Sequence, residues 1–115
     1  MSLRQKQSDF ARLVPRLIDK AFNLGYEVTL GDAYRDPRVH GALGEAKGYG
    51  HPKSNHKLRL AQDYNLFNAA TGEWLTNTED FRPLGEFWES LDPECAWGGQ
   101  FGDGNHFSLK HNGTR

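Results

Sequence analysis

The stretch LAQDYNLF at residues 60–67 decides how this chain folds, because it places one carboxylate inside a strand-forming run. Its apolar and aromatic residues predict a β-strand. Asp63 lies near the middle of that strand, where a buried carboxylate is costly unless it is paired or bound to a metal ion. Side chains alternate along a strand, so the small Ala61 shares a face with Asp63 and leaves space beside it. The stretch therefore predicts a strand of the fold and the position of a site together.

The segments on either side predict a single α+β domain that spans residues 1–115. Apolar residues at helical spacing predict two helices, and alternating or apolar runs predict strands. Pro15, inside the first helix, predicts a kink or a later start. This order of elements predicts helices packed on a small antiparallel sheet. The predicted helices run from Ser8 or Asp9 to Asn23 and from Asn77 or Thr78 to Asp92, and the predicted strands are 26–30, 60–67, 73–75 and 106–109.

Length and composition are those of one globular domain. The chain has 115 residues, of which 37% are hydrophobic and 25% charged. Its 14 Lys and Arg residues against 15 Asp and Glu give no basic excess for binding nucleic acid. The single Cys95 excludes an internal disulfide and any metal site built on paired cysteines. Because no apolar run could span a membrane or serve as a secretory signal, we expect synthesis in the cytoplasm without membrane insertion.

Three residues form a candidate set of metal ligands: His56, Asp63 and His106. Two imidazoles and one carboxylate can hold zinc and leave a fourth position open for water, the arrangement found in catalytic zinc sites. His56 and Asp63 are seven residues apart, so a straight strand would send them to opposite faces, and the chain must bend between them. Asp103-Gly104 predicts a tight turn that would bring Asp103 beside His106, where its carboxylate could act as general base.

The histidines also have an interpretation that involves no metal ion. The spacing of the three candidate ligands matches no helix-borne zinc signature such as HExxH. A single histidine in a chain that contains five is more often a surface residue or a hydrogen-bonded core residue. That interpretation is preferred for His40, His51 and His111.

Three motifs in sequence order resemble those of the M15 zinc peptidases: Ser54-x-His56-x6-Asp63, Trp97-Gly98-Gly99-x-Phe101 and Asp103-x-x-His106-Phe107. The resemblance extends from about residue 34 to residue 109. Within that family the pattern is most similar to the phage L-alanyl-D-glutamate endopeptidases that serve as endolysins. It implies the fold of the D-Ala-D-Ala peptidases and hedgehog-like zinc peptidases.

The resemblance also implies roles for individual residues. His56, Asp63 and His106 would bind Zn²⁺, and Asp103 would be the general base. Arg35, which follows an aromatic residue, would polarise the scissile carbonyl or its developing oxyanion.

Two further residues are implied to contact the substrate or shape its site. Ser54 would contact the substrate or orient His56, and Trp97 would lie at the floor of the site. The chain departs from the family pattern in a short spacer at 100–102 and in Ser108, where Glu or Gln often follows His-Phe. Both departures bear on which bond is cut more than on the binding of zinc.

These features lead us to expect a monomeric zinc peptidase that acts on the stem peptide of peptidoglycan, most similar to a phage endolysin that cuts the L-alanyl-D-glutamate bond. It would reach the cell wall through a membrane lesion such as a phage holin makes. A D,D-carboxypeptidase or dipeptidase of the same family and a non-catalytic zinc-containing binding module remain as alternatives. A metal-dependent nuclease is a weaker third, suggested only by residues 103–106. The loop 36–53 is long enough to line the site, and whether it closes over substrate stays open.

Overall fold

The computed structural model describes residues 2–31 and 55–111. These residues form two α-helices, five strands and three short 3₁₀ turns. The α-helices are α1 (Leu3–Asn23) and α2 (Arg82–Leu91), and the 3₁₀ turns are Asn55–Leu58, Thr78–Phe81 and Gly98–Phe101. The strands are β1 (Tyr26–Leu30), β2 (Ala61–Asn68), β3 (Trp74–Leu75), β4 (Cys95–Trp97) and β5 (His106–Leu109). The positions discussed above that lie outside the described residues are Arg35, His40, the loop 36–53, His51 and Ser54.

Strand β2 is the centre of an antiparallel sheet in which the strand order is β1-β2-β5-β4. Along one edge, β2 pairs with β1 over residues 64–68. Along the other edge it has two partners, because β5 pairs with residues 61–63 and β3 with residues 66 and 67. The neighbour of β2 therefore changes between its first and second halves, and residues 64 and 65 lie at the change.

Both helices pack on one face of this sheet and form the core with it. Trp88 of α2 is fully buried, and its ring packs edge-on against Phe107 and Phe10. The indole N–H of Trp88 donates to the Ser108 carbonyl at 3.0 Å, which ties the helix to β5. Tyr64 of β2 also packs edge-on against Phe107. Because side chains alternate along a strand, the neighbours of these core residues, Asp63 and His106 among them, lie on the opposite face.

The prediction of an α+β fold, with helices on a small antiparallel sheet, is confirmed. The strands predicted at 26–30 and 106–109 have the observed bounds, the strand predicted at 60–67 is shifted by one residue at both ends, and the strand predicted at 73–75 begins one residue later. The second helix is also present, with its first turn formed as a 3₁₀ turn before Arg82. No helix among residues 2–31 and 55–111 is long and apolar enough to cross a membrane.

One prediction about the elements is wrong, and one strand was not predicted. The first helix begins at Leu3 instead of Ser8 or Asp9, because Ser2 and Gln5 form a capping box: the Gln5 N–H donates to Ser2 Oγ at 3.1 Å, and the Ser2 N–H donates to Gln5 Oε1 at 2.8 Å. Pro15 therefore lies inside the helix and does not mark a late start. Strand β4 was not predicted, since three residues are too few to show a period and the strand exists through its pairing with β5.

Candidate metal centre

Pairing between β2 and β5 brings Asp63 directly opposite His106. Residues opposite each other on antiparallel strands have Cβ atoms about 4.5–5.5 Å apart, so their side chains meet on the shared face. Backbone hydrogen bonds continue the ladder at both ends: the Leu109 N–H donates to the Leu60 carbonyl at 2.9 Å, and the Tyr64 N–H donates to the Asn105 carbonyl at 3.0 Å. The sheet thus fixes the relative position of two of the three candidate ligands.

The bend that the spacing of His56 and Asp63 requires lies directly before β2. His56 is in the 3₁₀ turn 55–58, and Arg59 then adopts φ 57°, the left-handed conformation that few residues other than glycine occupy. The Leu60 N–H closes the turn by donating to the Asn55 carbonyl at 2.9 Å. This reversal directs His56 back towards the face of β2 that carries Asp63.

Asn55 fastens this turn to the sheet. The residue is fully buried, and its side-chain Nδ2 donates to the Leu109 carbonyl at 2.7 Å. Asn55 was not among the residues predicted from the sequence, although a polar residue beside a candidate ligand is a signal that could have found it. Because His56 follows Asn55 directly, this bond also fixes the backbone of His56 against β5.

The three candidate donor atoms form a nearly equilateral triangle. His56 Nε2 lies 3.2 Å from Asp63 Oδ1 and 3.2 Å from His106 Nδ1, and His106 Nδ1 lies 3.3 Å from Asp63 Oδ1. In a tetrahedral zinc site with bonds of about 2.0–2.1 Å, neighbouring ligand atoms are about 3.3–3.4 Å apart. The triangle therefore has the dimensions of one face of a zinc tetrahedron, and these residues could hold a metal ion.

Burial makes the cluster a site of low dielectric. His56 is 0% exposed and His106 is 6% exposed, whereas the Asp63 side chain keeps partial access to solvent. Burial alone would raise the pKa of Asp63, but hydrogen bonds and charge attraction from His106 and His56 outweigh it and hold that pKa at about 2, below the ordinary 3.8. The carboxylate is therefore ionised at neutral pH, as a metal ligand must be.

The second ring nitrogen of His106 is a departure from the usual surroundings of a metal ligand. Histidines that bind metal through one nitrogen usually donate a hydrogen bond from the other. His106 Nε2 is buried and, within the described residues, has no hydrogen-bond partner. The side-chain polar contacts of His106 are therefore made from Nδ1, on the side where Asp63 and His56 lie.

Asp103 begins the tight turn that the sequence predicted. The His106 N–H donates to the Asp103 carbonyl at 3.1 Å, which closes the turn, and the Asp103 N–H donates to the Gly98 carbonyl at 2.9 Å. A Cβ on Gly98 would clash with the Asp103 carbonyl and lie 2.9 Å from the Cβ of His106, so only glycine fits there. Asp103 is exposed and precedes the buried candidate ligand His106 by three residues, which places a solvent-accessible carboxylate just before β5.

The buried Trp97 supports this turn. The residue is 2% exposed, and its indole N–H donates to the Gly104 carbonyl at 2.7 Å. Its ring lies so close to Gly85 and Gly99 that neither position has room for a Cβ. In the described part of the fold Trp97 positions the segment 103–106, and it presents almost no surface to a ligand.

The residues predicted from the sequence thus fall into three groups. His56, Asp63 and His106 meet in one cluster, while Asp103 and Trp97 hold the adjoining turn. The remaining candidates, Arg35 and Ser54, lie outside the described residues.

Neither a scan against protein-family models nor a search of curated proteins finds a match for this chain.

Proposed function

We propose that this chain is a zinc-dependent peptidoglycan peptidase of the M15 type, which hydrolyses the L-alanyl-D-glutamate bond of the stem peptide as phage endolysins do. The observation that carries the proposal is the triangle of donor atoms in His56, Asp63 and His106, with sides of 3.2, 3.2 and 3.3 Å. The finer assignment of the fold to the D-Ala-D-Ala peptidase and hedgehog-like group is part of the same proposal.

The donor set favours zinc of the catalytic kind. Structural zinc sites are closed by four protein ligands, mostly cysteine and histidine, whereas catalytic sites have three and keep one position open. Among the described residues the cluster has three members and contains no cysteine. When bound, zinc would act as a Lewis acid and would lower the pKa of a bound water to about 7.

The remaining chemistry is assigned to carboxylate and guanidinium groups of the chain. Asp103, exposed at the start of the turn that leads to His106, accepts a proton from the attacking water and returns it to the leaving amine. Asp63 stays ionised and keeps both imidazoles oriented towards one point. Arg35 is proposed from the family resemblance to stabilise the developing oxyanion.

Digestion of Gram-negative sacculi with zinc-loaded protein, followed by mass spectrometry of the released fragments, tests the proposal. We expect peptides that begin with free D-glutamate, with L-alanine left on the glycan. Asp103→Asn is the matched variant: it should bind zinc stoichiometrically and lose about 10²–10⁴-fold in kcat, the usual contribution of a general base.

Each alternative gives a different result in the same experiment. Release of D-alanine alone would identify a D,D-carboxypeptidase. The absence of any product from protein that holds one zinc per chain would contradict the peptidase and favour a binding module. Full activity of Asp103→Asn would remove Asp103 from the mechanism.

A further inference from the structure

A cleft of about 240 Å³ opens beside the metal cluster, where the partner of β2 changes from β5 to β3. Tyr64 and Asn65, the two residues at the change, line it together with the turn that carries Asp103. Pockets for complete small molecules usually enclose about 300–1,000 Å³. The cleft is therefore suited to one part of a larger substrate whose reacting bond lies elsewhere.

The polar lining of the cleft both donates and accepts hydrogen bonds. Its amides and hydroxyls can do either, which suits a ligand rich in hydroxyl and amide groups. Asp103 is the only charged side chain among the described residues that line it, and the rest of that lining is neutral. The polar lining residues are Tyr64, Asn65, Thr76, Thr78, Asp103 and Asn105.

An aromatic surface completes the cleft. Trp74 lines it and is 62% exposed, while the buried Phe81 lies deeper in its wall. Single exposed aromatic residues are common on proteins, but this one borders a polar cleft. The flat face of an indole suits an apolar ring surface, and its N–H adds one donor at the edge. A sugar ring has the matching form, with C–H groups on its face and polar groups around its rim.

The distance from the metal cluster matches the length of the proposed substrate. Trp74 pairs with Phe67, which lies four residues along β2 from Asp63, or about 13 Å at about 3.3 Å per residue. The L-alanyl-D-glutamate bond is joined to the glycan by one alanine and one lactyl group, which together extend about 7 Å. A sugar attached to that linker covers the remaining distance when the bond lies at the metal cluster.

We propose that this cleft binds a neutral N-acetylated sugar ring of the glycan strand, stacked on Trp74, while the attached stem peptide lies at the metal cluster. The assignment rests on the proposed function for the identity of the substrate.

Two substrates separate binding of the sugar from cleavage of the peptide: one stem peptide free, and the same peptide linked to its GlcNAc–MurNAc disaccharide. Trp74→Ala should lower kcat/KM about five- to tenfold for the linked substrate, mainly through KM, and leave the free peptide unchanged. Trp74→Phe should recover part of the loss. Phe22→Ala, which removes an aromatic residue that is 51% exposed on α1, is the control and should leave both substrates unchanged. An equal loss on both substrates, or no loss on the linked one, overturns the assignment.

Titration with N,N′-diacetylchitobiose decides the assignment even if neither substrate is hydrolysed, a result that would contradict only the peptidase. In an NMR spectrum the Trp74 indole N–H signal, identified by its loss in Trp74→Ala, should shift with added sugar. The indole N–H of Trp88 donates to the buried Ser108 carbonyl and should stay in place as an internal reference. Absence of a shift at Trp74 up to millimolar sugar would overturn sugar binding whether or not the protein is a peptidase.

Discussion

At the scale of single residues, the cluster depends on a carboxylate whose burial is offset by its two histidine partners. An isolated ionised carboxylate taken out of water is strongly unfavourable, and burial acts on Asp63 in that direction. His56 and His106 reverse the effect, because each approaches the same Asp63 oxygen to within 3.3 Å. Asp63, whose carboxylate is unusual within the strand-forming residues 60–67, is therefore the residue on which both imidazoles converge.

This depressed pKa predicts how the stability of the metal-free protein depends on pH. The folded-state pKa of Asp63 is about 2 against an ordinary 3.8, so its contribution to stability is present above pH 3.8 and is lost as the pH falls through 2. The shift corresponds to about 2 kcal/mol. In chelator-treated protein, Asp63→Asn should lower the free energy of unfolding by about this amount at pH 6 and by much less at pH 2, as measured by urea denaturation. A difference between the two proteins that is constant over this range would show that Asp63 is not paired as described.

At the scale of elements, helix α2 and the 3₁₀ turn after β4 act as a support for the site. Gly85 of α2 and Gly99 of the turn both lie against the Trp97 ring, and the indole N–H of that ring donates to the Gly104 carbonyl. The chain of contacts runs from a helix on one face of the sheet to the turn that carries Asp103. The position of Asp103 therefore depends on how closely α2 approaches β4.

Gly85→Ala tests this support. Alanine favours an α-helix over glycine by about 1 kcal/mol, but the added methyl group would overlap the Trp97 ring. Overpacking of a core typically costs about 1–3 kcal/mol, so we expect a net loss of up to about 2 kcal/mol in urea denaturation. Glu86→Ala, the next residue on the same helix, is the control and should change stability by less than about 0.5 kcal/mol. A stabilised Gly85→Ala protein would show that α2 does not contact Trp97 closely.

At the scale of the whole molecule, a bound metal would join segments that are far apart in the sequence. Its ligands come from the 3₁₀ turn 55–58, from β2 and from β5, which the sheet already brings together. An ion that binds only the folded state stabilises it in proportion to the logarithm of its free concentration over Kd. A bound metal would therefore also be a cross-link between β2, β5 and the turn that precedes β2.

At this scale we predict how removal of the metal changes the thermal stability of the protein. With free zinc at about 100 times its Kd, folding gains about 2.7 kcal/mol, which for a domain of this size raises the Tm by about 10 °C. Excess chelator should abolish that rise in calorimetry. His106→Ala should retain no zinc by elemental analysis and show no zinc-dependent Tm, whereas His111→Ala, outside the cluster, should behave as the wild-type chain does. Stoichiometric zinc in His106→Ala would remove His106 from the ligand set.

Features that depend on neighbouring residues could be predicted from the amino-acid sequence alone. Periodicity located both helices and four strands, and the side-chain chemistry identified His56, Asp63 and His106 as candidate ligands. The early start of α1 could have been predicted too, since Ser2 and Gln5 have the spacing of a capping box. These features are local because a helix or a strand face is set by residues within a few positions of one another.

Features that depend on pairing between distant segments are fixed only in the folded chain. Strand β4 exists because β5 lies beside it, and the donor triangle exists because Asp63 is in register with His106 while Arg59 takes a left-handed conformation. The cleft beside Trp74 arises from the change of partner along β2. None of these can be predicted from a local pattern, because the free energy that fixes each of them comes from contacts between segments that meet only in the folded chain.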